Sequence, residues 1–188
     1  MTQVLPEAFA GPAHGAIAGA VFALLLGAVC VSDLRTRRIP NRLVLVIAVL
    51  GTVYSIWSLP LVPGLVRAFG GLGLGLALWF PFYVFRLLGA GDVKFFAAAS
   101  AWIGAGAALK AALLSALAGG VMAIAVVVVS VGWRYAATQL ALYAADPRTL
   151  AVKASEAPSA KKLKLPYGVA MAAGLALAAW FPNILRAL

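Results

Sequence analysis

The chain has 188 residues, of which 64% are hydrophobic and only 11% charged, and its mean hydropathy is +1.03. A soluble domain carries about 25% charged residues, so this composition excludes an ordinary soluble domain and predicts an integral membrane protein. The net charge of +10 does not point to nucleic acid, because the basic residues sit at the ends of apolar runs, where they act as topology signals.

Residues 1–15 hold Pro6, Pro12 and the only histidine, His14, read as a solvated loop residue. They contain no Lys or Arg, and the basic cluster follows the first apolar run. That is the wrong polarity for a cleaved signal, so the run at 16–32 is expected to stay as a membrane span. Cys30, the single cysteine, lies inside it and reads as a packed apolar side chain; there is no disulfide framework and no cysteine metal site. The run ends in Asp33-Leu34-Arg35-Thr36-Arg37-Arg38-Ile39-Pro40-Asn41-Arg42, whose four arginines mark a cytoplasmic end.

A second span is predicted at 43–57, with Pro60 and Pro63 in the turn after it. A third covers 65–88, where Gly70, Gly71, Gly73 and Gly75 read as close-packing positions for neighbouring helices. A nucleotide-binding loop is excluded there, since the glycines lie within an apolar span and follow no strand. A short fourth span is predicted at 92–103, ended by Gly104 and Gly106, and a fifth at 107–133. The polar stretch 134–164 reads as a basic cytoplasmic loop or, over 133–145, as a helix along the interface. A sixth span, 166–185, opens on Leu165-Pro166-Tyr167-Gly168, where proline suits a helix start.

With the N-terminus outside, twelve of the fifteen Lys and Arg residues fall on the cytoplasmic side, leaving Arg67, Lys110 and Arg186 outside. The expected fold is therefore all-α: a polytopic bundle of about six transmembrane helices, one domain over 1–188, with both termini extracytoplasmic.

This topology brings two of the five acidic residues to the same side. Asp33 ends span one and Asp92 opens span four. A charge next to hydrocarbon costs about 2.5–3.5 kcal/mol at a helix centre, so such residues usually mark function. If they face each other, the two carboxylates form a pair that shares a proton, one drawing a proton from water while the other assists the scissile carbonyl. Other readings of the residues stay open. Asp33 balances its arginines and Asp92 caps a helix or pairs with Lys94, leaving a non-catalytic membrane scaffold. The two acids also suit an ion or solute site in a small transporter, although no internal repeat is evident.

Gly89-Ala90-Gly91-Asp92-Val93-Lys94 resembles the Gly-x-Gly-Asp signature of the type IV prepilin peptidase family, which are intramembrane aspartyl proteases. The stretch from Asp33 to Asn41 resembles that family's first aspartate motif, and Leu165-Pro166-Tyr167-Gly168 resembles the segment opening its last span. The resemblance implies that Asp33 and Asp92 are the catalytic pair. It implies that Gly89 and Gly91 shape the site, in keeping with glycine's freedom at positive φ, and that Lys94 holds a substrate charge or tunes Asp92. It implies a prepilin or pilin-like substrate whose basic leader is cut off, after a glycine, at the cytoplasmic face of a bacterial inner membrane; no cofactor is expected, and the His and Cys usage suggests no metal site. The absence of a soluble insertion with paired cysteines resembles the short, peptidase-only form associated with tight-adherence pili, so N-methylation of the product is not expected. The brevity of span four leaves room for a locally unwound substrate.

Overall fold

The computed structural model describes residues 14–131 and 166–181. Among these there is no strand, and the chain runs through five helices: α1 (His14–Thr36), α2 (Asn41–Ser58), α3 (Leu61–Val84), α4 (Ala90–Val131) and α5 (Tyr167–Trp180). His14, expected in a loop, is the first residue of α1. The cytoplasmic loop at 134–164 and the interfacial helix at 133–145 fall outside the described residues. The contacts divide the chain into two compact units, one including 14–119 and 166–181 and the other including 120–131; everything below concerns the first.

Four of the helices are long and apolar enough to cross a membrane, and α5, with 14 residues, is a shorter apolar helix. Their outward faces are apolar: Leu45, Val49, Val53 and Trp57 on α2, and Val62, Val66, Phe69 and Phe80 on α3, are all well exposed. Apolar surface this extensive has no stable place in water. The molecule is an all-helical membrane bundle.

The first half of α4 is the centre of the bundle. Every residue from Phe95 to Gly104 is buried, as expected of a helix apolar all round. α1 packs on α5 and on α2, and α2 on α3. α3 crosses α4 closely: a Cβ on Gly71 would collide with the Ser100 carbonyl oxygen, and one on Gly75 would lie 2.6 Å from Ser100 Oγ. Gly64, whose added Cβ would lie 2.6 Å from the Ser55 carbonyl oxygen, plays the same part against α2. Gly70 and Gly73, expected at the same packing surface, are instead exposed, because they lie off the face formed by Gly64, Ala68, Gly71 and Gly75.

Gly104 breaks α4. Its φ of 79° and ψ of 171° lie in a region open essentially to glycine alone. The carbonyls released by the break find partners across the bundle. Ser55 Oγ donates to the Ala101 carbonyl at 2.8 Å, and an Arg67 guanidinium N–H donates to the Trp102 carbonyl at 2.7 Å. The guanidinium also lies over the Tyr54 ring, 5.6 Å from its centroid. A cation at the C-terminal end of a helical segment suits the helix dipole as well.

Candidate active site

The inward face of α1 is written at positions 22, 26, 29 and 33. Phe22, Leu26 and Val29 are buried core residues, and Asp33, next on the same face, is 4% exposed. A helix places residues three and four apart on one side, so the carboxylate occupies the last position of an apolar stripe. The turn that follows is tightly held. Arg37 takes a left-handed φ of 51° and donates its N–H to the Asp33 carbonyl at 2.8 Å. Ser32 Oγ donates to the Arg38 carbonyl at 2.9 Å, and Thr36 Oγ1 donates to the Ser32 carbonyl at 2.9 Å. Ile39 then turns inward, 8% exposed, and Pro40 precedes α2 as its N-cap.

Asp33 lies directly against the first turn of α5. A Cβ on Gly168 would sit 2.8 Å from Asp33 Oδ2 and 3.1 Å from its Cγ. The amides of Gly168 and Val169 and the Arg37 charge are within electrostatic reach of the carboxylate. Its Oδ2 is nonetheless buried with no hydrogen bond among the described residues.

Asp92 is half-buried in the first turn of α4. Its Oδ2 accepts the Gly89 N–H at 3.3 Å, the reach of an N3 carboxylate back to its N-cap. Gly91 is helical, and a Cβ there would meet Ile39 at 3.6 Å, an ordinary contact. Neither Gly89 nor Gly91 has a positive φ, so the expected left-handed freedom is not what they provide. They provide room: an added Cβ at Gly89 would stand 3.0 Å from Asp92 Oδ2. Lys94 is exposed between buried Val93 and Phe95, on the side of α4 away from the packed interior.

The structure thus brings Asp33 and Asp92, on different helices, into each other's electrostatic field. Tyr167 also lies within reach of the Asp92 charge. Two carboxylates that meet in a water-poor setting can hold one proton between them and polarise a water. Among the described residues no group of three His, Cys, Asp or Glu side chains is arranged to hold a metal ion. Gly168 is not among the site residues expected from the sequence, although the Leu-Pro-Tyr-Gly run that contains it reads both as a helix start and as a segment resembling the one that opens the family's last span.

A search of curated proteins and one of solved structures each gave no match. A family model does match: that of the type IV leader peptidase family fits residues 20–124. The matched stretch is more than half of the chain and contains both Asp33 and Asp92, and on that likeness the chain belongs to the type IV leader peptidase family.

Proposed function

We propose that this peptidase is an intramembrane aspartyl endopeptidase that removes the basic leader from prepilin or pilin-like proteins. Family membership makes it a hydrolase of the leader-peptidase kind, and its apolar helices make it a membrane protein. The observation that supports the finer reading is that Asp33 on α1 lies within Coulombic reach of Asp92 on α4, with Asp33 Oδ2 buried and without a hydrogen bond among the described residues. An unpaired buried acceptor is costly to maintain, and a nucleophilic water held between the two acids would satisfy it.

In this reading one aspartate, ionised, takes a proton from the water as it attacks the scissile carbonyl. The other, protonated, donates a hydrogen bond to the carbonyl oxygen, and a proton then passes to the leaving amine. The pair acts as a unit, so neither residue has a fixed role. Gly168 and Gly89 leave space for the two carboxylates, and Gly91 lets Ile39 close against α4. The exposure of Lys94 favours contact with a substrate charge or lipid headgroups over tuning of Asp92. The basic residues after α1 support a site at the cytoplasmic face of a bacterial inner membrane, where the leader of a pilin-like substrate would lie. The lack of a soluble insertion between α1 and α2 fits the tight-adherence type.

The test is Asp33→Asn and Asp92→Asn, each assayed on a prepilin in membranes. Each is expected to lower cleavage by at least about 10²-fold while the protein still inserts. Cleavage at the wild-type rate by either variant would refute the assignment.

A further inference from the structure

Trp79 is, with Asp33, one of the two residues holding a buried side-chain polar atom without a hydrogen bond among the described residues. On α3 it is 4% exposed, and its Nε1–H has no acceptor among the described residues. The bundle does satisfy its other deeply buried indole: Trp102 Nε1 donates to the Ile47 carbonyl at 2.9 Å. The unpaired donor of Trp79 is therefore a local feature and not a general tolerance.

Its surroundings tie it to the two aspartates. The ring meets Phe96 of α4 edge-on at 5.6 Å and Tyr167 of α5 edge-on at 5.9 Å. Phe96 is four residues after Asp92, on the same face of the helix and about 6 Å further along it. Tyr167 feels the Asp92 charge, and the next residue, Gly168, packs on Asp33. Trp79 thus stands in an aromatic corner shared by α3, α4 and α5, linked to Asp92 through Phe96 one turn along α4 and to Asp33 through Tyr167 beside Gly168.

A peptide that is cut must first lose the helical hydrogen bonds around the scissile bond. In the apolar layer its freed carbonyls find no water and need a donor from the protein. We propose that the Trp79 indole N–H binds a main-chain carbonyl of the substrate's unwound apolar stem, with Phe96 and Tyr167 packing on the neighbouring apolar side chain. Trp79 is then a substrate-binding residue, and the ligand class is an extended apolar peptide recognised through its backbone. This inference rests on the leader-peptidase reading given above.

The test uses the full chain in detergent or nanodiscs, labelled with ¹⁵N at its five tryptophans, with Trp79→Phe assigning the Trp79 indole signal. A synthetic peptide with a basic leader and an apolar stem is added to the Asp33→Asn variant, and binding is followed separately by the anisotropy of a fluorophore on the leader. The Trp79 indole proton is expected to move downfield as the peptide saturates, while the other four signals move less. In the otherwise wild-type enzyme, Trp79→Phe keeps an aromatic ring and removes the donor. It is expected to lower kcat/KM by roughly two- to tenfold, chiefly through KM. An indole signal that stays fixed at saturation, or a Trp79→Phe enzyme with the wild-type KM, would overturn the proposal. If Asp33→Asn cleaves normally, the aspartyl reading fails on its own, and the indole shift still decides the role of Trp79.

Discussion

The Asp33 carboxylate has room only because residue 168 has no side chain. An added Cβ there would lie 2.8 Å from Asp33 Oδ2 and 3.1 Å from Cγ, and the carboxylate could escape only by leaving its position. Gly168→Ala is therefore expected to lower cleavage on the order of 10²-fold, the cost of a displacement of about 1 Å at a reacting group. The helix preference of alanine over glycine, about 1 kcal/mol, offsets part of the cost of this overpacking, about 1–3 kcal/mol, so the melting temperature should fall only modestly. Loss of the folded protein altogether, or cleavage at the wild-type rate, would count against this account. Gly73→Ala is the matched control: Gly73 is exposed with nothing within 4 Å of an added Cβ, and activity there should be unchanged. Part of the candidate site was legible at this scale: Asp33 and Asp92 stand out as acids at the ends of apolar runs. Which face of α1 turns inward was not, because its residues are apolar on all sides. Nor was the unpaired indole of Trp79, because a tryptophan in an apolar span is ordinary until its neighbours are known.

At the scale of the element, the break in α4 decides how the Asp92 segment sits. Residues 90–103 form a helical piece about 21 Å long, fastened at its far end by Ser55 and Arg67. Arg67 is charged within an apolar span, and its hydrogen bond to the Trp102 carbonyl gives it a structural reason to be there. Gly104→Ala places a Cβ in glycine-only backbone space and 3.0 Å from Arg67 Cγ, and should destabilise the fold by about 1–3 kcal/mol. Unfolding in mixed micelles against increasing SDS measures this; an unchanged midpoint would show that the backbone relaxes freely. Arg67→Met leaves the Trp102 carbonyl without its guanidinium donor and should shift the midpoint in the same direction. The sequence did signal an interruption at Gly104, but not that cross-bundle donors hold it. Those donors come from helices 35 and 46 positions away along the chain.

At the scale of the molecule, the apolar outer faces of α2 and α3 need lipid or detergent. The protein should stay in the membrane pellet after alkaline carbonate extraction, and release into the supernatant would contradict a spanning bundle. Orientation follows from the arginines after α1. A cysteine in place of Arg37, in a Cys30→Ser background, should react with an impermeant maleimide in inverted vesicles and not in intact spheroplasts. The reverse pattern would move the two aspartates to the other face and remove the basis for a cytoplasmic leader as substrate.

Composition and the spacing of apolar runs determined by themselves that this chain is a helical membrane protein, because only closed backbone hydrogen bonding is stable in hydrocarbon. The order of the aspartate motifs along the chain pointed to the family. Helix packing decided the rest. Which glycines mark contact surfaces depends on the face they share, so Gly64, Gly71 and Gly75 pack while Gly70 and Gly73 do not. That Asp33 rests on Gly168 and lies in the field of Asp92 depends on how α1, α4 and α5 meet, and distances between helices are set by side-chain fit in three dimensions, which no local pattern encodes.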